Sequence, residues 1–334
     1  MSELISSFVY RRVLYGSRVT KRLWQILLRL IIKINDEASC SMKVHGRDLV
    51  MPLSHALPAY LRTFHFYDQL PARLAKFINT KLNSVKCIDV GANVGDTIAA
   101  FKGALSAEKQ QENAGTFLAI EPNPRFRRYL DLNWGDDQSV VILPYICSSS
   151  EGTTIACVNE LNGTASVNLG GVVGEAGNKF EKKTIDSIVA QYKERGDFNL
   201  LKIDTDGHDF EVLSGAKAFI EKSQPFLYFE VDAFSNPQFV EDCVDTLEFL
   251  QQAGYGKVFM YDNFGNFMGL FETSNISCIK NLLFYKLTKE YYYFDFLLMK
   301  DQYVGEFYKL EVEYFVNAIK DVRLQQAAAY ENSL

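Results

Sequence analysis

The sequence predicts an α/β fold: a central, mostly parallel seven-stranded sheet with helices on both faces. Three observations predict it. From residue 85 onward, short apolar runs alternate with helical runs, the order that makes parallel strands joined by right-handed crossovers. The first run, Val85 to Val90, passes through Gly91 and Gly95 into a helix start at Asp96-Thr97. At 334 residues and 48% hydrophobic, the chain can bury one substantial domain with extensions.

Strands are expected at Val85–Val90, Thr116–Ile120, Val140–Cys147, Asn199–Ile203, Phe226–Val231, Lys257–Tyr261 and Tyr292–Met299. Each is a short apolar run bounded by turn residues, as a strand covered on both faces should be. Helical spacing predicts Tyr60–Ile78, Arg125–Asn133, Asp209–Lys222 and Phe239–Gln252, with two further helices over 276–290 and 303–324. Asp262-Asn263-Phe264-Gly265-Asn266 predicts a hairpin turn. The Gly-rich insert from Glu151 to Phe180 reads equally as a loop or irregular hairpin near the site and as a plain connection.

Residues 1–43 are set apart from a domain over 44–300 and a C-terminal helix and polar tail over 301–334. Up to residue 35, seven Lys or Arg face only Glu3, and Leu23–Ile34 is nearly all apolar. The run is too short, and too interrupted by Gln25 and Arg29, to span a bilayer. No small-residue cleavage site follows it, which argues against a signal peptide. Two readings remain: a basic amphipathic helix on an anionic membrane surface, or a helix packed on the main domain or a partner subunit. The expected location is the cytoplasm, in the first reading against the inner face of a membrane.

A net charge of −6 argues against broad nucleic-acid binding. Cys40, Cys87, Cys147, Cys157, Cys243 and Cys278 form no CxxC pair and read as free thiols. His45, His55 and His65 recur every ten residues, but ten residues rotate a helix by roughly 280°, so a shared metal is not expected. They read as separate surface or capping residues.

The glycine turn selects the ligand through its charges. Asp89 and Asp96 flank it and would repel a pyrophosphate, whereas a sulfonium with an ammonium suits them, pointing to S-adenosylmethionine rather than a nicotinamide dinucleotide. Glu121, at the end of the second strand, stands where a carboxylate accepts hydrogen bonds from ribose hydroxyls. Its alternative is a surface acid capping the helix that starts near Pro124.

The stretches Ile88-Asp89-Val90-Gly91-Ala92-Asn93-Val94-Gly95-Asp96-Thr97, Ile120-Glu121-Pro122-Asn123 and Leu201-Lys202-Ile203-Asp204-Thr205-Asp206-Gly207-His208-Asp209, with Phe229-Glu230 and Tyr261-Asp262-Asn263-x-Gly265, resemble the FkbM-type methyltransferases of the class I S-adenosylmethionine-dependent fold. The resemblance covers about residues 44–300. It implies that Asp89, Gly91, Ala92, Asn93, Gly95 and Asp96 hold the methionine part of the cofactor, Glu121 the ribose, and Cys147-Ser148 the adenine edge. It also implies hydroxyls of sugars, glycans or related natural products as acceptors.

The densest acid–base group follows the fourth strand. Asp204 and Asp206 share a face by the two-residue period, and His208 lies near a helix start. Asp204 or His208 is the candidate base for a hydroxyl, with Asp206 and Glu230 toward the substrate. The alternatives are a divalent cation held by Asp204, Asp206 and Glu230, and helix capping by Asp206 or Asp209. Tyr60, Phe64, Phe66, Tyr67, Tyr261 and Phe264 are candidate stacking faces. A non-catalytic binding protein in a glycan-assembly complex is the rival of a different class.

Overall fold

The computed structural model describes residues 3–106, 115–161, 164–169, 178–234 and 236–318. Two helices come first, α1 (Glu3–Tyr15) and α2 (Arg18–Ile34). An antiparallel hairpin of β1 (Ser39–Val44) and β2 (Arg47–Pro52) follows, turning at His45-Gly46, both with positive φ. The hairpin therefore starts inside the stretch assigned above to the extension. The single helix expected over Tyr60–Ile78 is two, α3 (Leu57–Thr63) and α4 (Leu70–Leu82). Phe64 turns extended after α3, and Pro71 starts α4 because a proline without an N–H suits a first turn and not an interior.

The main domain then runs β3 (Lys86–Val90), α5 (Asp96–Ser106), β4 (Thr116–Ile120), α6 (Pro124–Trp134), β5 (Val140–Leu143) and β6 (Ile146–Cys147). Next come β7 (Gly152–Leu161), β8 (Thr164–Leu169), β9 (Asn178–Lys183), α7 (Ile185–Gln191), β10 (Leu200–Ile203), α8 (Asp209–Ser214) and α9 (Lys217–Ser223). It ends with β11 (Phe226–Val231), α10 (Phe239–Gln252), β12 (Lys257–Asp262), β13 (Phe267–Glu272), α11 (Ile276–Leu287), β14 (Phe294–Leu298) and α12 (Asp301–Ala318).

The central sheet has eight strands, not seven, in the order β13-β12-β14-β11-β10-β3-β4-β5. The extra one is β13, the second arm of the hairpin after β12, which adds an antiparallel edge. From β11 through β10, β3 and β4 to β5 every pairing is parallel, and β14 inserts antiparallel between β11 and β12. Without the added edge strand β13, that order, with β14 alone reversed, is the class I methyltransferase fold.

Both sheet faces are covered, and the strands alternate between them. Cys87, Phe117, Ala119 and Leu200 join a core with α4, α5, α6 and α12, whereas Ile88, Leu118, Ile120 and Leu201 join a second core with α7 to α11. Two expected elements break where the chain must bend. Pro144, without an N–H, ends β5 before β6, and Gly215, whose Cβ would stand 2.1 Å from the Ser148 carbonyl oxygen, separates α8 from α9.

The Gly-rich insert forms a four-stranded sheet ordered β6-β9-β7-β8, rooted at β6. Its Gly163, Gly170, Gly171, Gly174 and Gly177 lie outside the described residues. No helix among the described residues is long and apolar enough to cross a membrane.

Candidate active site

The carboxyl ends of β3, β4, β10 and β11 open on one cleft, as open parallel sheets dictate. It encloses about 1170 Å³, mouth included, and is walled by Gly91, Asn93, Asp96, Glu121, Cys147, Lys202, Asp204, Asp206, His208 and Glu230 among others. At its floor Gly91 adopts φ +80, and a Cβ there would sit 1.8 Å from the Asp204 carbonyl oxygen. The turn therefore requires glycine twice over, for its backbone angle and for the close approach of two strand ends.

Glu121 is the keystone of the cofactor side. It is 5% exposed, and its carboxylate accepts the backbone N–H of Asn93 at 2.9 Å and of Asn123 at 2.8 Å. It is thus no surface acid; it ties the glycine turn to the end of β4 while lining the cleft. Capping of α6 falls to Asn123, whose side chain accepts from the Arg125 N–H. Burial pushes the Glu121 carboxyl up to about 7, against the pull of the two amides.

Several predicted cofactor residues take other positions. Asp89 is fully buried with Lys202 Nζ at 3.3 Å from its carboxylate, and it does not line the cleft. Its position within the strand, one residue before the strand's end, puts it against a buried cation instead of a ligand. Ala92, Gly95 and Ser148 are likewise outside the walls. Gly95 lies under Trp134, whose indole N–H donates to its carbonyl at 3.1 Å, and Ser148 is 2% exposed beside the insert sheet. On the adenine side Tyr145 and Ile146 line the cleft with Cys147.

The acid–base cluster is rearranged too. The strand β10 stops at Ile203, and Asp206 has φ +50, so the two-residue period does not carry Asp204 and Asp206 onto one strand face. Asp209 is the first-turn acid of α8 and accepts from the Thr205 hydroxyl at 3.0 Å, while His208 occupies the N-cap position without a capping bond of its side chain. Burial first, then Asp204, lifts the Asp206 and Asp209 carboxyls to about 7. Among the described residues no three His, Cys, Asp or Glu side chains group so as to hold a metal ion.

A second cavity adjoins the first. Both are lined by Tyr67, Asp96, Thr97, Lys202, Asp204 and Tyr293, and the second adds Phe66, Asp68, Tyr228, Tyr261 and Asp295. Glu230, Asp295 and Tyr261 are direct cross-strand neighbours on β11, β14 and β12. Lys202 is 5% exposed and reaches Asp89 and, at 3.0 Å, Asp204. Although burial opposes its charge, these acids push its ammonium well above its ordinary range.

Lys202, Asp295, Asp68, Tyr293 and His55 line these cavities without having stood out as site residues in the sequence. The signal for Lys202 and Asp295 was present: each is the lone charge in an apolar strand, Leu-Leu-Lys-Ile and Phe-Asp-Phe-Leu-Leu. His55 is a cleft residue and not a surface cap. Its Nδ1 accepts from the Leu57 N–H at 3.2 Å, leaving Nε2 to donate toward the Asn93 side chain, and burial lowers its pKa to about 4. His45 pairs with Asp68 at 2.7 Å, and His65 is exposed. Of the expected stacking faces, Tyr60 and Tyr67 line the first cavity and Phe66, Tyr67 and Tyr261 the second, whereas Phe64 packs on Phe264 at 4.2 Å.

Residues 89–256 match the model of the methyltransferase FkbM domain. The chain belongs to this family. The FkbM match starts in β3 and ends just before β12, spanning the glycine turn, Glu121, the Asp204–Asp209 segment and Glu230. Among solved structures, the FkbM chain is similar to a methyltransferase FkbM from Methylobacillus flagellatus KT, at 16% identity and TM-score 0.37, covering 52% of this chain and 39% of that one. It is also similar to an O-methyltransferase from Bacillus cereus in complex with SAH, at 11% identity and TM-score 0.33, covering 90% and 100%. A third is a Methanococcus jannaschii fibrillarin pre-rRNA processing protein, at 12% identity and TM-score 0.33, covering 65% and 67%. No curated protein matches the sequence.

Proposed function

We propose that this protein is an S-adenosylmethionine-dependent O-methyltransferase that acts on a hydroxyl of a sugar, glycan or related natural product, with Asp204 receiving the hydroxyl proton. One observation carries the reading: Asp204 stands in the wall common to two cavities, one bearing the cofactor-type residues Gly91, Asn93, Asp96 and Glu121, the other tyrosines and carboxylates. Bound there, S-adenosylmethionine supplies an electrophilic methyl whose bond to sulfur breaks as the acceptor oxygen bonds to carbon.

The residues divide the remaining work. Gly91 lets the chain come close, Glu121 fixes the turn and accepts from ribose hydroxyls, and Asp96 offers a carboxylate to the cationic end of the cofactor. Lys202, bonded to Asp204 at 3.0 Å, holds that carboxylate in place between the cavities. Tyr67, Tyr228 and Tyr293 give the second cavity hydroxyl groups and ring faces suited to a polyhydroxylated acceptor. His208 lines only the first cavity, so it ranks behind Asp204 as base. Buried free Cys40, Cys87, Cys147 and Cys243 support a reducing compartment, which we take to be the cytoplasm.

Calorimetry with S-adenosylhomocysteine, followed by transfer of labelled methyl to a glycan panel, tests the reading. A Kd at or below about 50 µM is expected, roughly −6 kcal/mol; no binding at that level overturns it. Asp204→Asn should keep that Kd within about threefold and lower kcat by about 10²- to 10⁴-fold. Unchanged turnover would remove Asp204 from the role.

A further inference from the structure

The helices α1 and α2 carry an apolar surface that the other described residues do not cover. On α2, Val19, Leu23, Ile26, Leu30 and Ile34 follow the i, i+4, i+7, i+11, i+15 spacing of one helix face, with Leu27 beside them. All six are exposed, Leu23 by 68% and Ile34 by 82%. The helix already has its packing face: Ile31 is buried, and Trp24, Leu28 and Ile32 rest against the core. On α1, Leu4, Phe8 and Tyr15 are exposed in the same way, while Val9, Tyr10 and Leu14 are buried. Scattered apolar residues on a surface are ordinary, but a continuous stripe along two helices calls for a partner.

We propose that the α1–α2 hairpin is a docking surface for an anionic lipid bilayer. Charge selects this occupant. Arg22, Arg29 and Lys33 run along α2 at the same helical spacing as the stripe, one position behind Leu23, Leu30 and Ile34, so a basic row borders the apolar one. On α1, Arg11 and Arg12 are exposed with Phe8 and Tyr15. Residues 1–35 hold seven Lys or Arg and one acid, a net of +6 in a chain of −6, leaving −12 for the remainder. An anionic surface attracts this face and repels the body, which orients the molecule on the bilayer. A second copy of the chain is the poorer occupant, because a twofold contact would set two such basic faces against each other. Neither helix is long and apolar enough to cross the bilayer, so the geometry is that of an interfacial hairpin.

The hairpin is fastened to the reaction cleft. The Tyr10 hydroxyl donates to the carbonyl oxygen of His55, a residue of the cleft wall, and Ser7 Oγ accepts the Ser41 N–H at 2.8 Å. Lipid docking would hold that wall against the membrane surface.

Sedimentation of the full chain with phosphatidylglycerol–phosphatidylcholine vesicles and with phosphatidylcholine vesicles tests the proposal. The protein should pellet with the first and bind the second at least ~10-fold more weakly. Two exposed-face variants, Leu23→Glu with Leu30→Glu and Arg22→Glu with Arg29→Glu, should each lower anionic-vesicle binding at least ~10-fold while thermal melting is unchanged. Absence of pelleting, equal binding to both vesicle types, or binding that survives either variant overturns the proposal. So does a dimer seen by light scattering that the Leu23/Leu30 variant dissociates. None of these outcomes depends on cofactor binding or turnover.

Discussion

At the scale of single residues, Glu121 shows how much a position can be constrained by groups that are not its ligand. Both its oxygens accept backbone N–H groups, one from the glycine turn and one from the start of α6. Glu121→Gln puts an NH2 where one of those donors points, so two donors face each other in a buried place. We expect a loss of about 1–3 kcal/mol of stability and at least ~10-fold weaker S-adenosylhomocysteine binding. Denaturant unfolding and calorimetry on one sample check both; a variant that loses affinity with full stability would mean that the carboxylate serves only the ligand. In the sequence Glu121 and Asp204 stand out because each directly follows an apolar strand, and Asp96 because it opens a helix after a glycine turn. Asp89 was misplaced by the same logic, since the sequence does not reveal that Lys202 of the neighbouring strand lies beside it. Lys202, Asp295 and His55 come from three separate stretches of the chain, and only the folded sheet brings them to the walls of two adjoining cavities.

At the scale of elements, the fold depends on a polar tie across the first core. Glu311 of α12, 1% exposed, takes the Arg73 guanidinium of α4 in two bonds of 2.6 and 2.7 Å, and the Tyr261 hydroxyl of β12 donates to it at 2.8 Å. Arg73 also lies over the Tyr314 ring at 3.9 Å. Helix α12 is therefore joined to the sheet and to α4, although the sequence pattern set residues 301–334 apart. Glu311→Ala leaves a buried guanidinium without its carboxylate, and about 3–5 kcal/mol of stability should be lost. Urea unfolding measures it; a change below about 1 kcal/mol would mean that α12 docks through its apolar side chains alone. Strands and helices with strong periodicity were readable to within a residue or two. The breaks after Phe64 and Leu143 rest on the missing N–H of Pro71 and Pro144, which apolar spacing does not register, whereas the break at Gly215 depends on the close approach of Ser148, remote in sequence.

At the scale of the whole molecule, negative charge is gathered at the carboxyl end of the sheet. Burial, with mutual repulsion added, lifts the Asp96, Asp206 and Asp209 carboxyls to about 7, and Glu230 and Asp295 well above the ordinary range. An acid whose folded pKa exceeds its unfolded value near 4 holds a proton only in the folded state between the two. For Asp96, Asp206 and Asp209 the contribution to stability is therefore full below pH 4, falls as pH rises from about 4 to 7, and is flat above that. The ligand-free protein should melt at least ~4 °C lower at pH 8 than at pH 5. Sulfonium charge reverses the direction for binding: as Asp96 ionises, S-adenosylmethionine should gain affinity relative to the uncharged-sulfur S-adenosylhomocysteine. Calorimetry of both ligands at pH 5.5 and 8 measures that ratio, and Asp96→Asn should flatten it. A ratio independent of pH in the unaltered protein would mean that the sulfonium lies away from Asp96, and that the acids of the cleft face the acceptor instead.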